Sequence, residues 1–193
     1  RFNVVDVGFN AIFLKASKDL LKISKSFDLN FQDLNEFISL NEKRLLGLFS
    51  EENNNFLSQD LKTNNNLNIP SITNYFTLFA DLNDDKINKK LIANLKNHNA
   101  NEKYFFSSID PKHETFNEKR YWRGPVWINC NWLVYQGLKN KDKEYSNLLK
   151  KRTIELIEEK GFHEYYSCKN GNVMGANNFS WSASLYLDFV LEN

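Results

Sequence analysis

The sequence predicts an all-α protein, and three observations support this fold class. Seven segments carry apolar residues at the spacing of an amphipathic helix. Glycine, proline and asparagine separate these segments and mark turns. A single short hairpin at Phe56–Ile69, turning at Asn64–Asn66, interrupts the helical pattern. The helices follow one another in pairs, which is typical either of an α-solenoid or of a closed ring of helical hairpins.

The predicted helices can be placed in order along the chain. The first covers Val4–Ser26, the second follows Asn30, and the third begins at Pro70-Ser71. The fourth starts near residue 85, and a long polar loop at 97–120 follows it. The last three begin after Gly124-Pro125, near residue 141 and near residue 180. The apolar stripe of the first helix comprises Phe9, Ile12, Phe13, Ala16, Leu20 and Ile23.

Length, charge and apolar content limit the classes of function that this chain can have. The 193 residues are enough for one domain with a hydrophobic core, and the net charge of +1 is spread along the chain. Neither value indicates a nucleic-acid partner. No apolar run reaches the 18 residues of a membrane span, so we expect no membrane partner. The compartment stays open, with the cytoplasm favoured.

Metal and cofactor sites are not indicated. Cys130 and Cys168 lie far apart without a CxxC spacing, and Cys130 is interpreted as a buried thiol. The three histidines lack metal-ligand spacing, and no glycine-rich phosphate loop occurs. We therefore expect neither a metal nor another cofactor. The histidines are His98, His113 and His163.

The segment Tyr121–Trp132, YWRGPVWINCNW, concentrates the aromatic residues. Gly124-Pro125 forces a turn from which a helix can begin. Trp122 and Arg123 would then lie at the mouth of that helix. A flat apolar ring beside a planar cation with five donors suits a polyhydroxylated ring substrate. Trp132, inside the helix, is interpreted as a core residue.

Glu164 is the carboxylate most suited to catalysis. It follows a helix end at Gly161 and lies between His163 and Tyr165 on a predicted loop. Aromatic neighbours can tune such a carboxylate and let it address a water, as a general base must. A solvated surface charge is the alternative, and it is the interpretation for the loop acids Asp110, Glu114 and Glu118. Asp6 fits either a ligand contact at a helix mouth or a helix cap.

Three ordered blocks resemble glycoside hydrolase family 63. They are VVDVGFNAIFLKASKDL, YWRGPVWINCNWLVYQGL and GFHEYY…GANNFSWSASLYLDFV. The nearest branch is that of the bacterial mannosylglycerate/glucosylglycerate hydrolase-like enzymes, and trehalases share weaker versions of the blocks. The resemblance covers nearly the whole chain and is least specific between residues 53 and 117.

The resemblance implies an (α/α)6 barrel and an inverting hydrolase of α-linked glucose or mannose. Inversion uses a general acid and a general base whose carboxyl groups stand roughly 6.5–9.5 Å apart. The family's base maps onto Glu164. Its carbohydrate-binding positions map onto Trp122, Arg123, Trp127, Tyr165 and Trp181, with Asp6 and Asn10 on the DVGFNA helix.

One element of the family is missing from the sequence. The family's general acid is an aspartate in a DNSPRW-like segment, which would lie upstream of Arg1. Seven helices also cannot close a ring of twelve. We therefore expect residues 1–193 to be the C-terminal portion, roughly half, of a single barrel domain, with the missing N-terminal half as its partner and little activity alone. The alternatives are a catalytically dead carbohydrate-binding module, against which an intact Glu164 argues, and a helical scaffold, against which the ordered motifs argue.

Overall fold

A computed structural model describes residues 3–98 and 103–192. Within these ranges the chain is mostly helical, as predicted, with six α-helices and one 3-10 helix. The helices are α1 (Val7–Ser26), α2 (Leu34–Leu46), the 3-10 helix (Ile72–Leu78), α3 (Asp85–Asn97), α4 (Ile128–Leu138), α5 (Lys143–Lys160) and α6 (Ser180–Leu191).

Short strands join the helices. The strands are β1 (Val4–Val5), β2 (Phe49–Ser50), β3 (Asn55–Phe56), β4 (Ser58–Asp60), β5 (Asn66–Leu67), β6 (His163–Tyr166) and β7 (Val173–Asn177). They form three antiparallel sheets in the orders β1-β4-β5, β2-β3 and β6-β7. The pairing of β4 with β5 confirms the predicted hairpin. The β6-β7 hairpin was not predicted, because the polar residues 167–178 read as a loop.

Local side-chain chemistry sets the helix ends. The Asp6 carboxylate accepts a hydrogen bond from the Phe9 N–H at 2.7 Å and caps α1. The helix therefore begins at Val7, three residues later than predicted, because Val4 and Val5 pair with β4. Gly161 ends α5 with a φ of +82°, a conformation that residues with a side chain rarely adopt.

The 3-10 helix lies between α1 and α4, where two glycines let the backbones approach. A Cβ on Gly8 would lie 2.9 Å from the Thr73 Cβ, and one on Gly137 would lie 2.6 Å from the Leu78 carbonyl carbon. Larger residues would push these helices apart. The third predicted helix is therefore a buried 3-10 segment instead of an amphipathic α-helix, and it forms the centre of the core.

The apolar stripe of α1 faces outward. Phe9 is 82% exposed, and Phe13 and Ile23 are also exposed, whereas Val7, Gly8, Ala11 and Leu14 are buried. An apolar stripe normally faces a core. Here α1 packs instead through its small residues, since these allow the close approach to the 3-10 helix. The exposed surface continues onto α2. We call Phe9, Ile12, Phe13, Leu20, Ile23, Phe37 and Leu40 the outer apolar face.

The described residues can be searched for membrane-spanning helices, metal-ligand clusters and exposed thiols. None of the helices described there has both the length and the apolar character needed to cross a bilayer. In the same ranges no group of three or more His, Cys, Asp or Glu side chains could hold a metal ion. Cys130 is buried, as predicted, and burial raises the pKa of its thiol to about 12. Cys168 is buried as well.

The predicted loop at 97–120 contains a buried segment that Asn131 holds in place. Residues 99–102 lie outside the described ranges, and residues 104–109 are buried. The fully buried Asn131 side chain accepts from the Phe106 N–H at 2.8 Å and donates to the Phe105 carbonyl at 2.7 Å. It also donates to the Thr153 hydroxyl at 3.1 Å on α5. One amide therefore links α4, α5 and the buried segment.

We expect Asn131→Ala to lower the free energy of unfolding by about 2–4 kcal/mol, because it leaves a backbone N–H and a carbonyl buried without partners. Asn35→Ala, on the exposed surface of α2, is the control and should change it by less than about 0.5 kcal/mol. Urea unfolding followed by circular dichroism measures both. Equal effects of the two variants would contradict the structural role of Asn131.

Candidate functional site

The aromatic segment joins strand β6 through two backbone hydrogen bonds. The Val126 N–H donates to the Tyr166 carbonyl at 2.7 Å, and the Tyr166 N–H donates to the Val126 carbonyl at 3.0 Å. Val126 is therefore extended, and α4 begins at Ile128 instead of directly after Pro125 as predicted. Gly124 is needed at the turn, since a Cβ there would lie 2.4 Å from the Asn117 carbonyl oxygen.

This connection brings four aromatic rings together. Trp122 stacks on Trp127 with 4.2 Å between ring centroids and 10° between planes. Trp127 in turn stacks on Tyr165 at 4.9 Å and 24°. Tyr121 meets Trp127 edge-on at 4.6 Å. We call Trp122, Trp127 and Tyr165 the ring stack. Trp127 is buried at 2% exposure, whereas Trp122 at its end is 46% exposed and presents a ring to solvent.

Glu164 lies beside the ring stack. It is half-buried in strand β6 instead of on a loop, which corrects the sequence prediction. One carboxylate oxygen, Oε2, accepts from the Ala176 N–H at 3.0 Å. The other, Oε1, accepts from the Tyr121 hydroxyl. That hydrogen bond, together with desolvation and the negative charge of Glu164, raises the pKa of Tyr121, so the phenol stays protonated and remains a donor.

A groove of about 550 Å³ opens at the exposed end of the ring stack. Three tryptophans line it, Trp122 from the turn, Trp132 from α4 and Trp181 from α6, and Asp6 lies at its edge. Trp132 is half-buried and faces this groove, so its interpretation as a core residue was incomplete. Its indole N–H donates to Asp188. The groove lining also includes Gly8, Phe9, Ile12, Thr73, Phe76, Asn129, Cys130, Leu133 and Leu185.

The remaining predicted site residues lie elsewhere. Asp6 fulfils both interpretations, since it caps α1 and also lines the groove. Asn10 donates to the Asp6 carbonyl at 2.7 Å and faces a separate polar pocket that Arg44 and Gln59 also line. Arg123 is exposed and is not among the residues lining the groove.

Two partners of Glu164 were not found from the sequence. Tyr121 stands in the aromatic segment, but its alignment with Glu164 depends on the pairing of Val126 with Tyr166. Ala176 contributes only a backbone N–H, which residue type cannot reveal. Glu164 itself could be found because its aromatic neighbours are adjacent in sequence. The structure thus unites Glu164 with the ring stack, and Trp122 with Trp181 and Asp6 around the groove.

Comparison with known proteins bears on this arrangement. The chain matches the mannosylglycerate hydrolase MGH1-like glycoside hydrolase domain over residues 1–182. It is 34% identical over 189 residues to mannosylglycerate hydrolase of Thermus thermophilus, covering 96% of this chain and 45% of that protein. It is also 31% identical over 84 residues to glucosylglycerate hydrolase of Mycolicibacterium hassiacum, covering 43% of this chain and 19% of that protein.

A solved structure shows the same fold. A GH63 mannosylglycerate hydrolase of Thermus thermophilus, crystallised with Tris, superposes with a TM-score of 0.95 at 33% identity. The match covers 98% of this chain and 46% of that chain. GH63 structures are (α/α)6 barrels, and this chain spans about half the length of the curated relatives it matches. The predicted resemblance is confirmed: the chain belongs to the MGH1-like glycoside hydrolase family.

Proposed function

We propose that this chain is the C-terminal portion of a single (α/α)6-barrel domain that hydrolyses α-glycosides with inversion, and that Glu164 is its general base. The observation that carries the proposal is the setting of Glu164. Its carboxylate is half-buried, accepts from Tyr121 and Ala176, and lies against the ring stack, while each oxygen retains a further acceptor site.

In the proposed reaction Glu164 removes a proton from a water molecule. The water oxygen attacks the anomeric carbon from the face opposite the leaving group, and the bond to the glycosidic oxygen breaks. That oxygen takes a proton from a general acid, so one water is consumed and the anomeric configuration inverts. The acid is assigned to an aspartate upstream of Arg1, roughly 6.5–9.5 Å from Glu164 in the assembled site.

The proposed substrate is mannosylglycerate or glucosylglycerate. The relatives that match this chain carry these names as hydrolases. An exposed ring such as that of Trp122 can stack against a sugar face, and the exposed Trp181 provides a second ring in the groove lining. Lys112, Lys119 and Arg120 are exposed and could attract a glycerate carboxylate, although none of them lines the groove.

The proposed partner for the outer apolar face is the N-terminal half of the same barrel. Five of its seven exposed large apolar side chains on α1 and α2 lie outside the groove, and contiguous surfaces of this kind mark sites that another surface covers. The chain spans 45% of its curated relatives. The remaining half therefore has the right size to cover these helices, to close the ring and to supply the acid.

A carbohydrate-binding module without catalysis is the alternative function. One observation favours it: Glu164 is not among the residues that line the tryptophan-rich groove. A binding module would hold the sugar on Trp122 and Trp181. It would have no use for the carboxylate, so a substitution at Glu164 separates the two functions.

The proposed reaction is tested with the protein extended upstream of Arg1 to the length of its relatives. We expect it to release sugar from at least one of mannosylglycerate, glucosylglycerate and trehalose, with the inverted anomer appearing first in an NMR time course. Glu164→Gln should lower kcat by about 10²–10⁴-fold, because the amide cannot accept the proton from water.

Glu155→Gln, an exposed acid on α5, is the matched control and should retain wild-type activity. Sugar binding without release by the wild type would favour the binding module. Release that persists in Glu164→Gln would exclude Glu164 as the base.

A charged substitution on α1 tests the proposed partner of the outer apolar face. In residues 1–193 alone, Phe13→Asp should reduce self-association, because it breaks an exposed apolar surface. In the extended protein the same change should lower the free energy of unfolding by about 2–4 kcal/mol, because it buries a charge without a partner.

Lys22→Ser, on the same helix, is the control. It should leave self-association unchanged and alter the free energy of unfolding by less than about 0.5 kcal/mol. Analytical ultracentrifugation and urea unfolding measure the two effects. If Phe13→Asp changes the free energy of unfolding of the extended protein no more than Lys22→Ser does, the N-terminal half does not cover this face.

A further inference from the structure

The Glu164 carboxylate lies opposite an irregularity in strand β7. His163 pairs with Asn177, and Tyr165 pairs with Met174. Two steps along β6 therefore correspond to three steps along β7, which means that β7 carries one extra residue opposite Glu164. An extra residue of this kind is a β-bulge, and bulges are frequent where a strand must redirect a side chain next to a site.

Gly175 gives the bulge its conformation. Its φ of +76° lies in the region that favours glycine, as at the first position of a common bulge type. It also leaves room for the carboxylate, since a Cβ on Gly175 would lie 2.5 Å from the Glu164 Oε2 and 2.7 Å from the Tyr165 ring. Any side chain at this position would displace Glu164 or the end of the ring stack.

The bulge also provides a donor. The Ala176 N–H, next to Gly175, points at the Glu164 Oε2 at 3.0 Å. The Tyr121 hydroxyl donates to the other carboxylate oxygen, Oε1. The two oxygens are thus held from two different segments, one in β7 and one before the Gly124-Pro125 turn. A carboxylate held at both oxygens cannot rotate freely, so the directions of its remaining acceptor sites are fixed.

We propose that the Gly175–Ala176 bulge and the Tyr121 hydroxyl are positioning groups that orient the Glu164 carboxylate toward the attacking water. The inference rests on the proposed role of Glu164 as general base. Neither group is proposed to touch the substrate. They act through Glu164, so their loss should affect the chemical step more than substrate binding.

The test uses the extended protein and the glycoside that its wild type cleaves. Gly175→Ala should lower kcat by about 10–100-fold with KM changed less than about threefold, because a displaced base weakens an interaction made in the transition state. Gly161→Ala is the matched control. Gly161 also has a positive φ, +82°, but a Cβ there meets its nearest atom at 3.8 Å and lies away from Glu164. It should lower stability and leave the kcat of the folded protein unchanged.

Tyr121→Phe provides a second readout that does not depend on the glycine. It should lower kcat by about tenfold with KM changed less than about threefold, because the carboxylate then loses one of the two donors that orient it. A purely structural role of Tyr121 would lower the amount of folded protein and leave kcat per folded molecule unchanged.

The outcomes separate the two proposals. If Glu164→Gln abolishes activity while Gly175→Ala and Tyr121→Phe stay within twofold of the wild type, the positioning proposal is wrong and the proposed function stands. If Gly175→Ala does not fold, the kcat and KM of Tyr121→Phe decide. If Glu164→Gln keeps its activity, the proposed base is wrong and the positioning proposal fails with it.

Discussion

The backbone pairing of Val126 with Tyr166 is the constraint on which the site depends. Both residues are fully buried, and their two hydrogen bonds tie the aromatic segment to strand β6. Because the pair fixes the spacing of the two segments, Trp127 reaches Tyr165 and Tyr121 reaches Glu164. Breaking this pair would separate the carboxylate from its phenol donor even if every side chain were unchanged.

The helices support that pairing and leave the outer apolar face exposed. The 3-10 helix packs closely between α1 and α4 because Gly8 and Gly137 offer no side chains at the contacts. Asn131 then connects α4 to α5 and to the buried segment before the turn. The outer apolar face of α1 and α2 stays uncovered, which agrees with a chain that spans about half of its relatives.

The parts that could be predicted from the sequence are those set by neighbours along the chain. Helical periodicity located the starts of α1 to α6 to within a few residues, although the second helix was predicted to run on to residue 53 and α2 ends at Leu46, before strand β2. The aromatic neighbours of Glu164 identified it as a candidate. The direction of the α1 stripe could not be predicted, because periodicity shows that a face is apolar but does not show what covers it. The β-bulge was missed for a similar reason, since an extra residue appears only once the register between β6 and β7 is known.

The contribution of Ala176 to the site has a consequence for mutational surveys. It holds the Glu164 carboxylate through its backbone N–H alone, and its methyl group plays no part in that hydrogen bond. Every amino acid except proline supplies the same donor. Position 176 will therefore look permissive in a saturation library, with proline as the intolerant exception, while the neighbouring Gly175 tolerates almost nothing. An alanine scan would pass over this residue entirely. Replacing the amide by an ester at this one position would expose its role.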